Sequence, residues 1–288
     1  YTNDEKFIKE KLYNKLENII NNYVQGIDLD NNNIYLDKDY LISSGTKDTQ
    51  NTWMDAKYAG IAVTPRNGKA VEINSLWYNA LKIMEELTKK FGKKLEAKKY
   101  KELADKCKKS FVAKFYNKRR KCLFDVLGDN KIRPNQLFAL SLSYPIINPA
   151  SEEAKEIIET VEKKLLNKYG LKTLAKGEEN YVEVYEGDGF RRDFSYHQGI
   201  TWPWLLGLYY NSLKNIESVQ KTKKAKNEIQ EKIEKFRQNI YKTFEKEITQ
   251  TGCIGSISEL YDSKRPFLPK GAIAQAWSVA EIYRIIAE

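Results

Sequence analysis

The sequence lacks the features that mark several classes of protein. It has no run of about 18 apolar residues, the length that a membrane-spanning helix needs, and its first residues lack the basic, apolar and small-residue order of a signal peptide. Its three cysteines, Cys107, Cys122 and Cys253, are odd in number and widely spaced, unlike a disulfide framework or a zinc site. We therefore expect a reducing, cytoplasmic location and no membrane partner.

Several kinds of reactive site are also missing. The single histidine, His197, cannot form a metal site, and we find no phosphate-binding loop, no nucleotide fingerprint and no Ser-His-Asp order. We expect no metal and no cofactor. Any chemistry must then come from side chains alone.

The charge is strongly positive but dispersed. The formal net charge is +10 and the pI is about 9.1. The excess lysines lie among many glutamates, as in KTKKAKNEIQEKIEKFRQ, which is typical of a solvated helix face. Nucleic acid is therefore not an expected partner.

Two kinds of helical segment alternate along the chain, four of each. One kind has a narrow apolar stripe on a charged cylinder, which predicts a helix that faces solvent on one side. These outer segments are the opening helix from Ile8 to Tyr23, the stretches 95–116 and 151–169, and the helix from Ile229 to Phe244.

The other kind is apolar around most of its circumference, which predicts burial on nearly all sides. These inner helices are predicted to begin near Glu72, Arg133, His197 and Gly271. The order outer, inner, repeated four times, indicates helix pairs at a spacing of roughly 60 to 75 residues. We predict an all-α fold built from these pairs.

The links from outer to inner helices are long and rich in turn residues, whereas the return links are short. In a ring of helix pairs, all four long loops would share one face. Short strands are expected within them, near NIYLDKDYLI and NYVEVYEG. An open helical solenoid is the alternative, but its linkers are usually short on both sides. No Pro/Gly/Ser-rich linker divides the chain, so residues 1–288 are predicted to form one domain.

The polar residues suited to chemistry concentrate in the long loops and at the starts of the inner helices. They are Trp53, Asp55, Lys57, Arg66, Glu72, Asn135, Gln136, His197, Gln198, Trp202, Trp204 and Glu259. Aromatic faces beside carboxylates and amides are what a sugar site needs, and two carboxylates across a glycosidic bond can hydrolyse it.

Several of these residues also have a purely structural interpretation. Trp77 and Trp277 lie within apolar helices, which favours core packing. Trp202 and Trp204 could simply start a helix, Glu72 could stabilise a helix N-terminus, and His197 could be a hydrogen-bonded core residue.

Six sequence blocks resemble one family. TWMDAK, TPRNGKAVEINSLWYNAL, IRPNQ, YHQGITWPWLLG, ISELYD and PKGAIAQAWSVAE look like the C-terminal glucosidase domain of glycogen debranching enzymes, in the same order, between Ile34 and Glu288. The resemblance implies an (α/α)6 barrel that hydrolyses α-1,6-linked glucose at the branch points of glycogen or a related α-glucan, with inversion of the anomeric centre.

The resemblance also implies roles for individual residues. Asp55 would be the general acid and Glu259 the general base, with carboxyl groups about 6.5 to 9.5 Å apart. The acid would need a pKa raised by burial and by apolar neighbours such as Trp53. The other loop residues would bind sugar hydroxyls or stack on rings; they are Trp53, Lys57, Arg66, Glu72, Asn135, Gln136, His197, Gln198, Trp202 and Trp204.

The sequence departs from the family pattern in two respects. Ile200 and Thr201 precede Trp202 where the family usually has Thr-Val, and four inner helices are found where a closed barrel of this class has six. We therefore expect this chain to be the C-terminal part of a longer enzyme that carries the first two helix pairs. The alternatives are another (α/α)6 glycosidase of the glucoamylase or trehalase type, a non-catalytic glycan-binding module, or a helical partner-binding repeat.

Overall fold

Helices form most of the regular structure in the computed structural model, which describes residue 2 and residues 4–288. A π-helical turn, Ile8–Leu12, joins the first two helices, and a 3-10 turn, Pro134–Leu137, precedes the fifth. In chain order the α-helices are α1 (Glu5–Phe7), α2 (Tyr13–Gln25), α3 (Val71–Lys90), α4 (Lys94–Phe115), α5 (Phe138–Ser141), α6 (Glu152–Lys164), α7 (Gly189–Ser195), α8 (Leu205–Ser218), α9 (Lys223–Gln250) and α10 (Ala276–Ala287).

The predicted mostly α-helical fold is confirmed, whereas closure of the helix pairs into a barrel stays a prediction. The inner helix α10 leaves Val279 and Tyr283 exposed, which corrects its predicted burial on nearly all sides. The inner helices α3, α5, α8 and α10 contact one another in chain order, α4 packs on α3, and α9 packs on α8 and α10. The outer helix α4 buries Ala97, Ala104, Cys107 and Phe111, which recur at helical spacing on one face. A mostly α-helical architecture therefore follows from the apolar pattern.

The predicted starts of the later inner helices were wrong. The third begins at Leu205 rather than near His197, and the fourth at Ala276 rather than near Gly271. The residues before these helices belong to a sheet, whose backbone hydrogen bonds replace those of a helix. The second helix ends at Ser141, shortly before Tyr144, whose α conformation Pro145 disfavours.

Small antiparallel sheets occupy the long loops. Three are hairpins: β1 (Tyr35–Leu36) with β2 (Ile42–Ser43), β3 (Lys57–Tyr58) with β4 (Ile61–Ala62), and β5 (Tyr116–Asn117) with β6 (Cys122–Leu123). The fourth sheet has the order β10 (Pro269–Lys270), β9 (Leu260–Tyr261), β8 (Thr201–Trp202), β7 (Leu171–Lys172). The strands predicted near NIYLDKDYLI are thus confirmed as β1 and β2.

No strand forms in NYVEVYEG, which corrects the second prediction. Its backbone makes separate hydrogen bonds to two different segments instead of a ladder. Val182 N donates to Gln198 O, Ser263 N donates to Glu183 O, and Tyr185 N donates to the Asp262 carboxylate. These bonds hold the segment against the residues that flank strands β8 and β9 of the four-stranded sheet.

The four-stranded sheet joins three loops that are distant in sequence. Thr201 of β8 pairs with Tyr261 of β9, and Lys270 of β10 pairs with Leu260. Residues 196–202, 259–262 and 269–272 therefore lie side by side. Among the residues that the structure describes, none of the helices combines the length and the apolar character needed to span a membrane.

Candidate active site

An aromatic cluster forms around Trp53, in the irregular loop before β3. The Trp53 ring meets the rings of His197, Trp202 and Trp204 edge-on, at centroid distances of 5.1, 5.6 and 4.9 Å. Its Nε1 donates to Asn135 Oδ1 at 2.7 Å. Four residues predicted to bind sugar thus pack directly around Trp53.

Asp55 lies two residues further along the same loop, and its side chain is 64% exposed. Its Oδ1 is 3.7 Å from His197 Nε2, and the approach of His197 lowers the pKa of the Asp55 carboxyl below its ordinary value. The expectation of a buried carboxyl with a raised pKa was therefore wrong. Trp53 packs into the aromatic cluster, and Asp55 remains open to solvent.

His197 is almost wholly buried, with its ring stacked on Trp202 at a centroid distance of 5.4 Å. Among the residues that the structure describes, neither ring nitrogen has a partner within hydrogen-bond distance, and the Asp55 carboxylate lies just beyond it at 3.7 Å. Burial lowers the pKa of His197, so the imidazole is neutral at neutral pH. The interpretation of His197 as a hydrogen-bonded core residue holds for its burial but not for its hydrogen bonding.

Glu259 immediately precedes β9 and is half-buried, and its carboxylate accepts three hydrogen bonds. Tyr196 Oη donates to Oε1 at 2.6 Å, Gln275 Nε2 donates to Oε1 at 3.2 Å, and the Ala272 backbone N donates to Oε2 at 3.0 Å. Burial and the bond to Glu259 raise the pKa of the Tyr196 phenol, which therefore stays protonated and donates. The Glu259 carboxylate is held in one orientation.

The turn after β10 brings the backbone close to this carboxylate. Gly271 has a φ of +71°, and a Cβ there would lie 2.3 Å from Glu259 Oε2. A side chain at this position would collide with the carboxylate and would strain the backbone. Glycine thus allows the Ala272 amide to reach Glu259.

The two predicted catalytic carboxylates contact consecutive residues of one loop. Asp55 lies beside His197 and Glu259 accepts from Tyr196, while the rings of Tyr196 and His197 are 4.8 Å apart. Glu259 also lines an open cavity of about 700 Å³, together with Tyr185, Arg192, Asp193 and Lys270. The helix α7, which carries Arg192 and Asp193, packs on the hairpin that follows Asp55.

Arg66 and Glu72 are buried in a charged network below the loops. The Arg66 guanidinium binds Glu72 in a bidentate ion pair, and its Nε donates to Asp125 Oδ2 at 2.6 Å. Burial opposes the charge, but the carboxylates of Asp125 and Glu72 raise the pKa of Arg66 above its ordinary value. Because each polar group already has partners inside the protein, direct substrate contact does not fit either residue.

Other predicted sugar-binding residues are also internal. Asn135 donates to Asp125 Oδ1 at 2.8 Å, and Gln136 donates to Arg133 O at 2.9 Å. Gln198 accepts from Arg133 Nη2 at 2.7 Å, and Trp202 is 3% exposed within β8. These four residues are buried and position the loops, so the prediction that they contact sugar directly is corrected.

The remaining predicted residues are accessible to differing degrees. Lys57 is exposed in β3, and Trp204 is half-buried against Trp53. Trp77 packs in the core against Tyr23, as predicted, but Trp277 is 50% exposed and lies 5.0 Å from the Trp204 ring. The assignment of Trp277 to core packing was therefore wrong.

Three residues of this site carried no assigned role in the sequence. Tyr196 orients Glu259, and its place directly before His197 was the one available signal. Asp125 and Arg133 organise the buried network, where burial lowers the pKa of Arg133 and its Nε lies 3.6 Å from Asp125. Arg133 stands in the IRPNQ block, whereas Asp125 stands in none of the six blocks. Within residue 2 and residues 4–288, no group of three or more His, Cys, Asp or Glu residues could hold a metal ion.

A family model described as amylo-alpha-1,6-glucosidase matches residues 1–284, almost the whole chain. The chain belongs to the amylo-alpha-1,6-glucosidase family. This membership places it among glycoside hydrolases, and it confirms the resemblance seen in the sequence blocks.

This glucosidase-family chain is also similar to a much longer protein, at low sequence identity. It is 26% identical to the glycogen debranching enzyme of Saccharomyces cerevisiae over 289 aligned positions, which cover 83% of this chain and 19% of that protein. The chain thus spans about a fifth of the length of that curated relative.

Solved structures share the fold of this glucosidase-family chain at low sequence identity. A sialidase matches with a TM-score of 0.65 and 15% identity, covering 97% of this chain and 23% of the other. A GH78 family rhamnosidase of Bacillus sp. GL1 matches with a TM-score of 0.54 and 13% identity, covering 97% and 24%. These likenesses concern the fold alone.

Proposed function

We propose that this protein removes single α-1,6-linked glucose residues at the branch points of glycogen or a related α-glucan, with inversion of the anomeric centre. The observation that carries this proposal is the placement of Asp55 and Glu259 against the consecutive residues His197 and Tyr196. Family membership supports the reaction class. The contacts of Asp55 with His197 and of Glu259 with Tyr196 support the proposal that the two carboxylates share one site.

In the proposed reaction, a water oxygen bonds to the anomeric carbon as the bond to the leaving oxygen breaks. Glu259 takes a proton from that water, and Asp55 gives its proton to the leaving oxygen. The three donors around Glu259 aim its carboxylate and restrict its rotation. This acid and base chemistry requires no cofactor.

Asp55 must be protonated at the moment of cleavage, although its pKa is lowered in the free protein. A bound glucan would cover its exposed side chain and exclude water, and desolvation raises the pKa of a carboxyl group. Bound substrate, rather than Trp53, would thus exclude water from the Asp55 carboxyl and raise its pKa. Lys57, Trp53 and Trp204 are the predicted sugar contacts that retain access to the site.

Product analysis tests the proposal. Incubation with a singly branched dextrin should release glucose, and NMR during the first minutes should show the β-anomer before mutarotation. Release of α-glucose at early times would contradict inversion. Cleavage confined to maltose or to trehalose would favour the glucoamylase or trehalase alternative, and no cleavage of any of them would favour a binding module.

The pH profile tests the contact between His197 and Asp55. His197→Phe keeps a ring on Trp202 and removes the imidazole Nε2, which lies 3.7 Å from Asp55 Oδ1. It removes the interaction that lowers the pKa of Asp55, so this pKa should rise. Because the general acid acts only when protonated, the alkaline limb of kcat/KM should move to higher pH.

The measurement is kcat/KM across pH for the wild type and the variant, with thermal unfolding to verify that the variant is folded. If the alkaline limb of kcat/KM stays in place or moves to lower pH in a folded variant, His197 does not lower the pKa of Asp55.

A further inference from the structure

We propose that Tyr58 and Phe190 form a platform that binds the glucan chain on the leaving-group side of the scissile bond. This inference rests on the proposed function and identifies where the rest of the polymer lies. The ligand class is an α-linked glucan of several residues. Neither residue belongs to the group predicted to bind sugar.

The two rings form an exposed aromatic surface. Tyr58 in β3 and Phe190 in α7 are 41% and 51% exposed, and their rings meet edge-on at 5.3 Å. The ring of Phe194 lies next to that of Phe190, with centroids 6.0 Å apart. Ile61, across the hairpin from Tyr58, is 71% exposed. Apolar rings with this exposure offer flat faces to the C–H faces of sugars.

The platform continues directly from both proposed catalytic residues. Tyr58 follows the proposed acid, Asp55, by three residues and lies beside the turn of the hairpin that this loop enters. Phe190 lies in α7 with Arg192 and Asp193, which line the cavity of Glu259. The rings therefore stand where the acid loop meets the wall of the cavity.

The position beside the acid indicates which part of the substrate binds there. A general acid protonates the leaving oxygen, so the leaving group must depart past Asp55. For a branch-point glucose, that leaving group is a polymer chain, which extends beyond a single sugar-binding pocket. A surface next to Asp55 thus meets the chain that carried the branch.

The polar groups around the platform match a hydroxyl-rich ligand. Arg192, Asp193 and Lys270 line the adjacent cavity and present donors and acceptors, while the rings supply the apolar faces. Gly189 of α7 lies against the Tyr58 ring, since a Cβ there would be 3.6 Å from it, in ordinary van der Waals contact. Contact between β3 and α7 therefore fixes the two rings relative to each other.

The test varies the leaving group while the released sugar stays the same. The substrates are α-glucosyl fluoride, isomaltose, and a series of malto-oligosaccharides of increasing length that carry one α-1,6-linked glucose. In the intact wild-type protein, kcat/KM should rise with the length of the chain. In Tyr58→Ala and Phe190→Ala it should fall by about 3- to 10-fold on the longest substrate, the loss typical of one aromatic contact.

Fluoride places nothing on the platform, so both variants should retain wild-type activity on α-glucosyl fluoride. Tyr58→Phe keeps the ring and should keep the length dependence, whereas Tyr58→Leu keeps an apolar contact to Phe190 and should lose it. Tyr241→Ala is the matched control, because Tyr241 is 49% exposed on the outer helix α9 and should leave the whole series unchanged.

Two results would overturn the platform alone: a wild type with no length dependence, or alanine variants that lose activity equally on fluoride and on the longest substrate. The second result would mean that the rings only hold α7 against the hairpin. Failure of the wild type to cleave any substrate in the series would overturn the proposed function and the platform with it.

Discussion

Asp55→Asn should lose about 10²- to 10⁴-fold in kcat/KM on a singly branched glucan, the usual cost of removing a general acid. The same variant should lose far less on α-glucosyl fluoride. An amide cannot deliver the proton that the sugar oxygen needs in order to leave, whereas fluoride leaves without full protonation. Because the Asp55 side chain is 64% exposed, the substitution should leave thermal unfolding unchanged.

Asp48→Asn is the matched control, since Asp48 is an exposed aspartate of the same long loop. It should behave as the wild type on both substrates. Equal losses for Asp55→Asn on the glucan and on the fluoride would assign Asp55 a role other than proton donation. Full activity on the glucan would remove Asp55 from the mechanism.

Glu259→Gln should lose about 10²- to 10⁴-fold on both substrates, because both reactions need a base to take a proton from water. This pattern distinguishes it from Asp55→Asn. Glutamine has the shape of glutamate and its amide oxygen can still accept the hydrogen bond from Tyr196 Oη. Its amide nitrogen would face the Ala272 backbone N–H and cannot accept from it, so thermal unfolding of the variant must accompany the kinetics.

Glu186→Gln separates this role from a general effect of negative charge. Glu186 is an exposed carboxylate on the wall of the same cavity, and its neutralisation should change kcat/KM by less than about tenfold. A folded Glu259→Gln variant that hydrolyses α-glucosyl fluoride at the wild-type rate would refute its assignment as base.

The helical framework was predictable because apolar spacing follows helix geometry directly. The stripe along α4 predicted burial on one side, which is found. The broad apolar surface of α3 predicted burial on nearly all sides, but Leu76 and Ile83 of this helix are exposed. The errors fell at the ends of inner helices. There, Thr201 and Trp202 of β8 pair with strands about 30 and 60 residues away in the chain, which local patterns do not reveal.

The sequence nominated the residues of the candidate site but did not predict their exposure. The sequence blocks located the two carboxylates, whereas the pKa expected for Asp55 assumed a burial that depends on how neighbouring loops pack. Arg66 and Glu72 were predicted to contact sugar, but in the structure they form a bidentate ion pair with each other inside a buried network. Tyr196 gained its role only through its hydrogen bond to Glu259, 63 residues away in the chain.

Residue order alone was enough to establish the alternating helices, the loop-borne carboxylates and the family, because periodicity and motif order are carried by neighbours along the chain. Only the tertiary structure showed which buried polar groups are hydrogen-bonded to one another and which aromatic rings face solvent. It also showed that the consecutive residues Tyr196 and His197 contact Glu259 and Asp55 respectively. These properties depend on contacts between distant segments, and their free energies are set by burial and hydrogen-bond geometry that no local pattern encodes.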